Sequence, residues 1–170
     1  MYKINRFQIY LIILAVLVLQ AGILNSIKIF GAKPDLVLIS VIFFALFFGS
    51  GAGLESGLIA GFLQDLFAFD FFFANTLTLG LTGFIAGLIS NNFFKDSSRA
   101  EFLAVVFFTI WSMSLHYIFI WLFSKPLSIS YPEFFISAVI PAGLYTGLVS
   151  IPLHKIFINI YNLKEADDYL

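Results

Sequence analysis

Uninterrupted apolar runs of about bilayer length dominate this chain. The first of them, residues 7–27, contains no charged residue. A helix of about 21 residues spans roughly 31 Å, which is the thickness of the hydrocarbon core of a bilayer. Hydrophobic residues make up 61% of the chain and charged residues 11%, whereas soluble domains average about 45–50% and about 25%. The chain is therefore predicted to fold in lipid.

Charged residues, glycines and prolines divide the sequence into six candidate spans. The runs are apolar on all sides and do not alternate with polar residues, which favours α-helices over a β-barrel. We predict an all-α polytopic membrane protein with about six transmembrane helices in one bundle. This single domain covers residues 1–163, and residues 164–170 form a short cytoplasmic tail. The second and third spans are short, which leaves open whether they cross the bilayer completely. The predicted spans are approximately 7–27, 34–48, 52–69, 76–94, 102–123 and 134–160.

The distribution of Lys and Arg predicts the orientation. Six spans place both termini on one side of the membrane, and the basic residues divide six to three in favour of that side. Since cytoplasmic loops are enriched in Lys and Arg, both termini are predicted to be cytoplasmic. The residues on the side of the termini are Lys3, Arg6, Lys95, Arg99, Lys155 and Lys164, and those opposite are Lys28, Lys33 and Lys125.

A stripe of small residues runs along the third span. Gly53, Gly57 and Gly61 recur every fourth residue, and Asp65 continues the stripe. Such a stripe lets two helix backbones approach closely, which is how helices associate in lipid. It can serve internal packing or the docking of a helix from a partner protein. We single out these four residues as the candidate partner-binding face, with a structural role or a ligand contact as alternatives for Asp65.

Polar residues also gather at the predicted outer ends of the spans. Lys33, Asp35, Asp70 and Asn75 form a possible outer polar cluster. Three of these residues, Asp35, Asp70 and Asn75, could form a pocket for a small molecule together with Asp65.

Signals of catalysis are lacking in the sequence. The chain has no Cys, no phosphate-binding or dinucleotide-binding motif and no metal-ligand spacing. His116 and His154 have no carboxylate near them in the sequence, which is typical of structural histidines. The net charge of −1 gives no indication of nucleic-acid binding. We predict no catalytic, cofactor or metal site, and no enzymatic activity.

One region resembles a known family. Pro34-Asp35-Leu36 opens the second span, and the third span carries the segment from Gly57 to Leu66, with Gly-x-x-x-Gly-Phe followed by Asp-Leu. Asn75 and the segment from Gly83 to Gly87 follow. This order resembles the rod shape-determining protein MreD family, whose members are six-span proteins of the bacterial inner membrane. The resemblance covers roughly residues 33–90.

The resemblance implies a scaffold of the bacterial cell-elongation complex. The implied partners are a bitopic MreC-like protein, membrane lipid, and the MreB filament with the peptidoglycan synthase pair, directly or indirectly. It also implies a fold similar to that of the S components of energy-coupling-factor vitamin transporters. The alternative hypothesis is therefore a small-molecule-binding, S-component-like subunit of a transporter. An ion or proton channel would need a polar stripe through a whole span, and the third span has too few polar residues for one.

Overall fold

Most of the residues that the structure describes are helical. The structure is a computed structural model, and it describes residues 6–22, 33–67, 73–93, 98–123 and 129–161. The predicted all-α fold is confirmed for these residues. The helices are α1 (Arg6–Gly22), α2 (Leu36–Phe48), α3 (Ser50–Phe67), α4 (Ala74–Phe93), α5 (Ser98–Phe123) and α6, which consists of Tyr131–Phe134, a π-helical turn at Phe135–Val139, and Ile140–Tyr161.

Local signals in the sequence set both ends of α2. Asp35 is its N-cap, and the Asp35 carboxylate accepts a hydrogen bond from the Leu38 backbone N–H at 2.9 Å. Pro34 precedes this cap. At the other end Gly49 adopts a φ of 88°, which favours glycine, and α3 begins at the next residue. The two helices are therefore joined by a single residue.

The glycine stripe of α3 packs against α4 of the same chain. A methyl group added at Gly53 would overlap the backbone of Gly83, and one added at Gly57 would overlap Leu79. Gly61 is equally close to the backbone of Asn75. The two helices run antiparallel at near-minimal separation, which the absence of side chains on this face permits. The groove that the sequence assigned to a partner helix is thus occupied by α4.

Helix α2 forms the centre of the bundle. It contacts each of the other five described helices, and residues 37–45 are all buried. The side chains of Phe43 and Phe44 are almost completely buried, and both rings pack against Phe157 of α6 with centroids 5.4 Å apart. A uniformly apolar helix with no polar face is the kind that other helices surround on all sides.

Two described helices are long and apolar enough to cross a membrane, Ala100–Phe123 and Tyr131–Ile160. The helices Arg6–Gly22, Leu36–Phe48 and Ala74–Ser90 are apolar but shorter. The outward faces carry large apolar side chains, among them Leu14 and Val18 of α1, which are more than half exposed. Faces of this kind fit a lipid environment.

Candidate functional site

Helix α2 stops well short of one end of the bundle. Its 13 residues give about 20 Å of helix, whereas the 26 residues of α5 give about 39 Å. The Asp35 backbone N–H donates to the Thr146 hydroxyl at 3.2 Å, and Thr146 lies near the middle of α6. The start of α2 therefore lies at mid-depth and leaves a hollow above it. We call this end of the molecule the Asp35 end.

The floor of the hollow is fixed by hydrogen bonds to the first turn of α2. The Asp35 carboxylate accepts from the Leu38 backbone N–H and from the side chain of Gln20 in α1. The Gln20 carbonyl oxygen in turn accepts from the Val37 backbone N–H at 3.1 Å. These groups satisfy N–H donors that a helix start leaves free, and a carboxylate is favoured there by the helix dipole. Asp35 is thereby held in one position at the base of the hollow.

Two cavities meet at Asp35 and Met113, which line both of them. The first, which we call the α4 cavity, has a volume of about 170 Å³. The second, the α6 cavity, has a volume of about 350 Å³, which lies within the range of small-molecule sites, about 300–1,000 Å³. The other residues of the α4 cavity are Gln64, Asn75, Thr78, Leu79, Ser112, His116 and Phe134. Those of the α6 cavity are Gln20, Lys33, Pro34, Thr109, Ser137, Ala138, Ala142 and Thr146.

Asp65 supports the α4 cavity from behind. Its carboxylate accepts four hydrogen bonds at 2.6–3.0 Å, from the backbone N–H and the side chain of both Asn75 and Thr76. Asp65 is itself only 2% exposed. Because Asn75 and Thr76 form the first turn of α4, this clamp fixes the turn that supplies one wall of the cavity.

Thr78, one turn further along α4, has no hydrogen-bond partner for its hydroxyl among the described residues, although it is 2% exposed. The hydroxyl of Thr82 on the next turn donates to the Thr78 carbonyl at 2.6 Å. A buried hydroxyl without a partner is uncommon and calls for an explanation.

The sequence prediction located part of this site. Lys33 and Asp35 line the α6 cavity, and Asp35 and Asn75 line the α4 cavity. Asp70 lies outside the described residues. Asp65 forms the clamp behind the wall and is not one of the residues that line either cavity.

Sequence reasoning missed most of the lining, because it treated single polar residues within apolar spans one at a time. Most of them lie in the half of their helix that is nearer the Asp35 end, and Thr109 and Thr146 lie near the middle of theirs. This shared depth is the signal that could have found them. His116, which the sequence suggested was structural, is one of these lining residues. The others are Gln20, Gln64, Thr78, Thr109, Ser112, Ser137 and Thr146.

Comparison with known proteins identifies the family to which the chain belongs. The model of the ECF-type riboflavin transporter S component matches residues 4–163. The chain belongs to this S-component family. A UPF0397 protein of Phytoplasma australiense is 26% identical over 136 residues, which cover 74% of this chain and 70% of that protein. No solved structure matches the chain.

Membership of the S-component family corrects the sequence analysis. The assignment to the MreD family was wrong, and so were the cell-elongation role and the MreC, MreB and peptidoglycan synthase partners. The residues behind that assignment have structural roles: Asp35 caps α2, the glycines pack α3 on α4, and Asp65 anchors α4. Any bundle with a short central helix can use such devices, so they do not identify a family.

S components are substrate-binding subunits of transporters in the inner membrane, and the chain is accordingly an integral membrane protein. They are not enzymes, which confirms the expectation of no enzymatic activity. Among the described residues, no three His, Asp or Glu side chains come together as a metal site.

The opposite end of this S component is closed by paired side chains. The Glu101 carboxylate and the His154 imidazole face each other at 2.5 Å, and both are largely buried. The carboxylate of Glu55 accepts a hydrogen bond from the Tyr10 hydroxyl at 2.5 Å, and the Arg6 guanidinium lies 3.8 Å away. His154 therefore has a carboxylate partner, which its neighbours in sequence did not indicate.

Proposed function

We propose that this chain is the substrate-binding subunit of an energy-coupling-factor transporter and that it binds riboflavin in the two cavities of the Asp35 end. The observation that carries the proposal is the pair of cavities that meet at Asp35. Both have several polar side chains in their lining, and they lie at the end of the bundle opposite to the Glu101–His154 pair. The family supplies the substrate, since the matching model describes riboflavin transporters.

The chemistry of the cavities fits a ligand with a flat ring and a polyhydroxyl chain. The α6 cavity is the larger one, and hydroxyl and amide side chains line it, including Gln20, Thr109, Ser137 and Thr146. Such groups both donate and accept hydrogen bonds, as the hydroxyls of a ribityl chain require. The α4 cavity is too small for a whole tricyclic ring, so it takes one edge of the ring.

The proposed orientation places the cavities toward the outside of the cell. Six membrane-spanning helices with both termini in the cytoplasm put Arg6 and Lys155 on the inside, in agreement with the excess of basic residues there. In that orientation the Asp35 end opens outward and receives substrate, and the end with Glu101 and His154 faces the cytoplasm. The proposed partners are the ATPase and T components of such transporters.

The test is a fluorescence titration of riboflavin with the purified chain in mild detergent. We expect saturable quenching with one site per chain, and an increase in melting temperature as riboflavin is added. The absence of both quenching and thermal stabilisation would overturn the proposed substrate.

A cavity-filling variant tests the location of the site. Ala142→Leu adds three carbon atoms to the wall of the α6 cavity and should abolish riboflavin binding while the protein remains folded. Leu144→Phe is the matched control, because it enlarges a half-exposed side chain on the outer face of the same helix. Equal riboflavin affinities for the two variants would place the site elsewhere.

A further inference from the structure

The hydroxyl of Thr78 is placed differently from most other buried hydroxyls of the described helices. Thr82 and Thr109 donate to the carbonyl four residues back in their own helix, and Ser90 donates to the carbonyl three residues back. The equivalent carbonyl for Thr78 is that of Ala74, yet no such bond forms. Thr78 forms part of the wall of the α4 cavity, and its hydroxyl is the buried polar group of that wall without a partner among the described residues. Rotation about χ1 is the movement that would turn this hydroxyl toward a molecule inside the cavity.

The Asp65 clamp fixes which atom Asn75 presents to the same cavity. A carboxylate oxygen only accepts hydrogen bonds, so the Asn75 side chain must turn its NH₂ group toward Asp65, and the two atoms lie 3.0 Å apart. The carbonyl oxygen of the Asn75 side chain is then the atom left for the cavity. Asn75 accordingly presents an acceptor, and a ligand must bring a donor to it.

The charged and titratable side chains of the α4 cavity restrict which chemical groups it can bind. The titratable side chains among the described residues that line it are Asp35 and His116, and the oxygens of the Asp35 carboxyl group already accept hydrogen bonds from Leu38 and Gln20. The described lining includes no Lys or Arg, so a phosphate or carboxylate group buried there would have no permanent counter-charge and could pair only with a protonated His116 imidazole. The cavity therefore suits an uncharged group.

We propose that Asn75 and Thr78 form a selectivity element that recognises an uncharged N–H donor next to a carbonyl, as in a cyclic imide or lactam. This inference rests on the proposed function. In riboflavin the matching group is the imide edge of the ring, where one N–H lies between two carbonyls. Asn75 accepts from this N–H, and the Thr78 hydroxyl donates to an adjacent carbonyl oxygen.

The test combines a change in the protein with a change in the ligand. Thr78→Val keeps the shape of the side chain and removes the hydroxyl, and Thr82→Val is the matched control one turn away. We expect Thr78→Val to weaken riboflavin binding about tenfold, as for the loss of one buried hydrogen bond, and Thr82→Val to change it less than twofold. Riboflavin methylated on the imide nitrogen should bind the wild type at least tenfold more weakly, and Thr78→Val should have little further effect on it.

The outcomes separate this inference from the proposed function. If the wild type does not bind riboflavin, the proposed substrate falls, and this inference falls with it. If the wild type binds but Thr78→Val binds equally well, the function stands and the role of Thr78 is overturned. Equal affinity for the methylated ligand overturns the imide contact. The melting temperature of the ligand-free Thr78→Val variant should equal or exceed that of the wild type, because an unpaired hydroxyl is removed, and a large decrease would overturn the premise.

Discussion

The two ends of this bundle differ in the partners of their buried polar side chains. At one end, Glu101 and His154 are paired with each other, and the rings of Phe43 and Phe47 pack against the His154 ring. At the Asp35 end, polar groups anchor helix starts and line open volume, and the Thr78 hydroxyl is unpaired. Polar groups within a membrane protein are costly unless they are paired. The unpaired Thr78 hydroxyl and the open volume beside it therefore make the Asp35 end the one where a ligand can supply a missing contact.

The largest loss of stability is expected when Asp65, which anchors the first turn of α4 at the Asp35 end, is replaced. Asp65→Ala removes the acceptor of four hydrogen bonds and leaves the first turn of α4 without partners for its donors. We expect a loss of about 3–5 kcal/mol in the free energy of unfolding, together with loss of riboflavin binding. The measurements are thermal melting in detergent and fluorescence titration.

A more conservative substitution at the same position separates anchoring from charge. Asp65→Asn retains one acceptor oxygen, so its melting temperature should lie between those of Asp65→Ala and the wild type. If Asp65→Ala melted within one or two degrees of the wild type, Asp65 would not be the anchor of α4.

The second-largest loss of stability is expected at the end of the bundle that holds Glu101 and His154. Glu101→Leu leaves His154 without its carboxylate partner in an aromatic environment, which should cost about 3 kcal/mol of stability. Riboflavin affinity should change less than twofold, because the change lies at the other end from the cavities. Thermal melting and titration of the same preparation measure both quantities.

A double substitution provides the control. Adding His154→Phe to Glu101→Leu replaces the whole pair with apolar side chains and should restore most of the lost stability, since an apolar substitute for a buried pair is often neutral. A large drop in riboflavin affinity for either variant would show that the two ends are coupled and do not act independently.

Both ends depend on the close approach of α3 and α4. Gly57→Ala places a methyl group into the backbone of Leu79 and should lower stability by about 2–3 kcal/mol, because the helices must move apart. Gly51→Ala is the matched control, since nothing lies within 4 Å of the added atom. Thermal melting distinguishes the two, and equal melting temperatures would contradict this packing.

Local features of the fold were predictable from the sequence, and distant contacts were not. Apolar runs predict the helices, and Pro34 with Asp35 predicts the start of α2. The repeat of glycines predicts a close helix contact, but its period does not say which helix fills the groove. These signals lie within a few residues of one another, so helical geometry alone interprets them.

The site itself depends on contacts between residues that are far apart in the chain. Asp35 meets Thr146 across 111 positions, and Glu101 meets His154 across the α5–α6 pair. No periodicity within one helix encodes which helices become neighbours, or that α2 begins at mid-depth. The sequence therefore predicted a polar cluster containing Lys33, Asp35 and Asn75 and a possible pocket beside it, but not the residues of α1, α5 and α6 that complete the two cavities.

The smallest change in stability is expected at Phe73, the residue that precedes α4 at the Asp35 end. Phe73 precedes α4 with a φ of 80°, a backbone conformation that a bulky side chain rarely adopts. Phe73→Gly removes this strain but also removes ring contacts and adds freedom to the unfolded chain. We expect a net gain of at most about 1 kcal/mol, measured as a small increase in melting temperature.

The neighbouring residue provides a control with the opposite sign. Ala74 is the first residue of α4 and is buried, so Ala74→Gly should lower stability by about 0.5–1 kcal/mol. A decrease for both variants would mean that the Phe73 ring contributes more through its contacts than its backbone costs. The entry to α4 would then be held by packing of the Phe73 ring as well as by the Asp65 clamp.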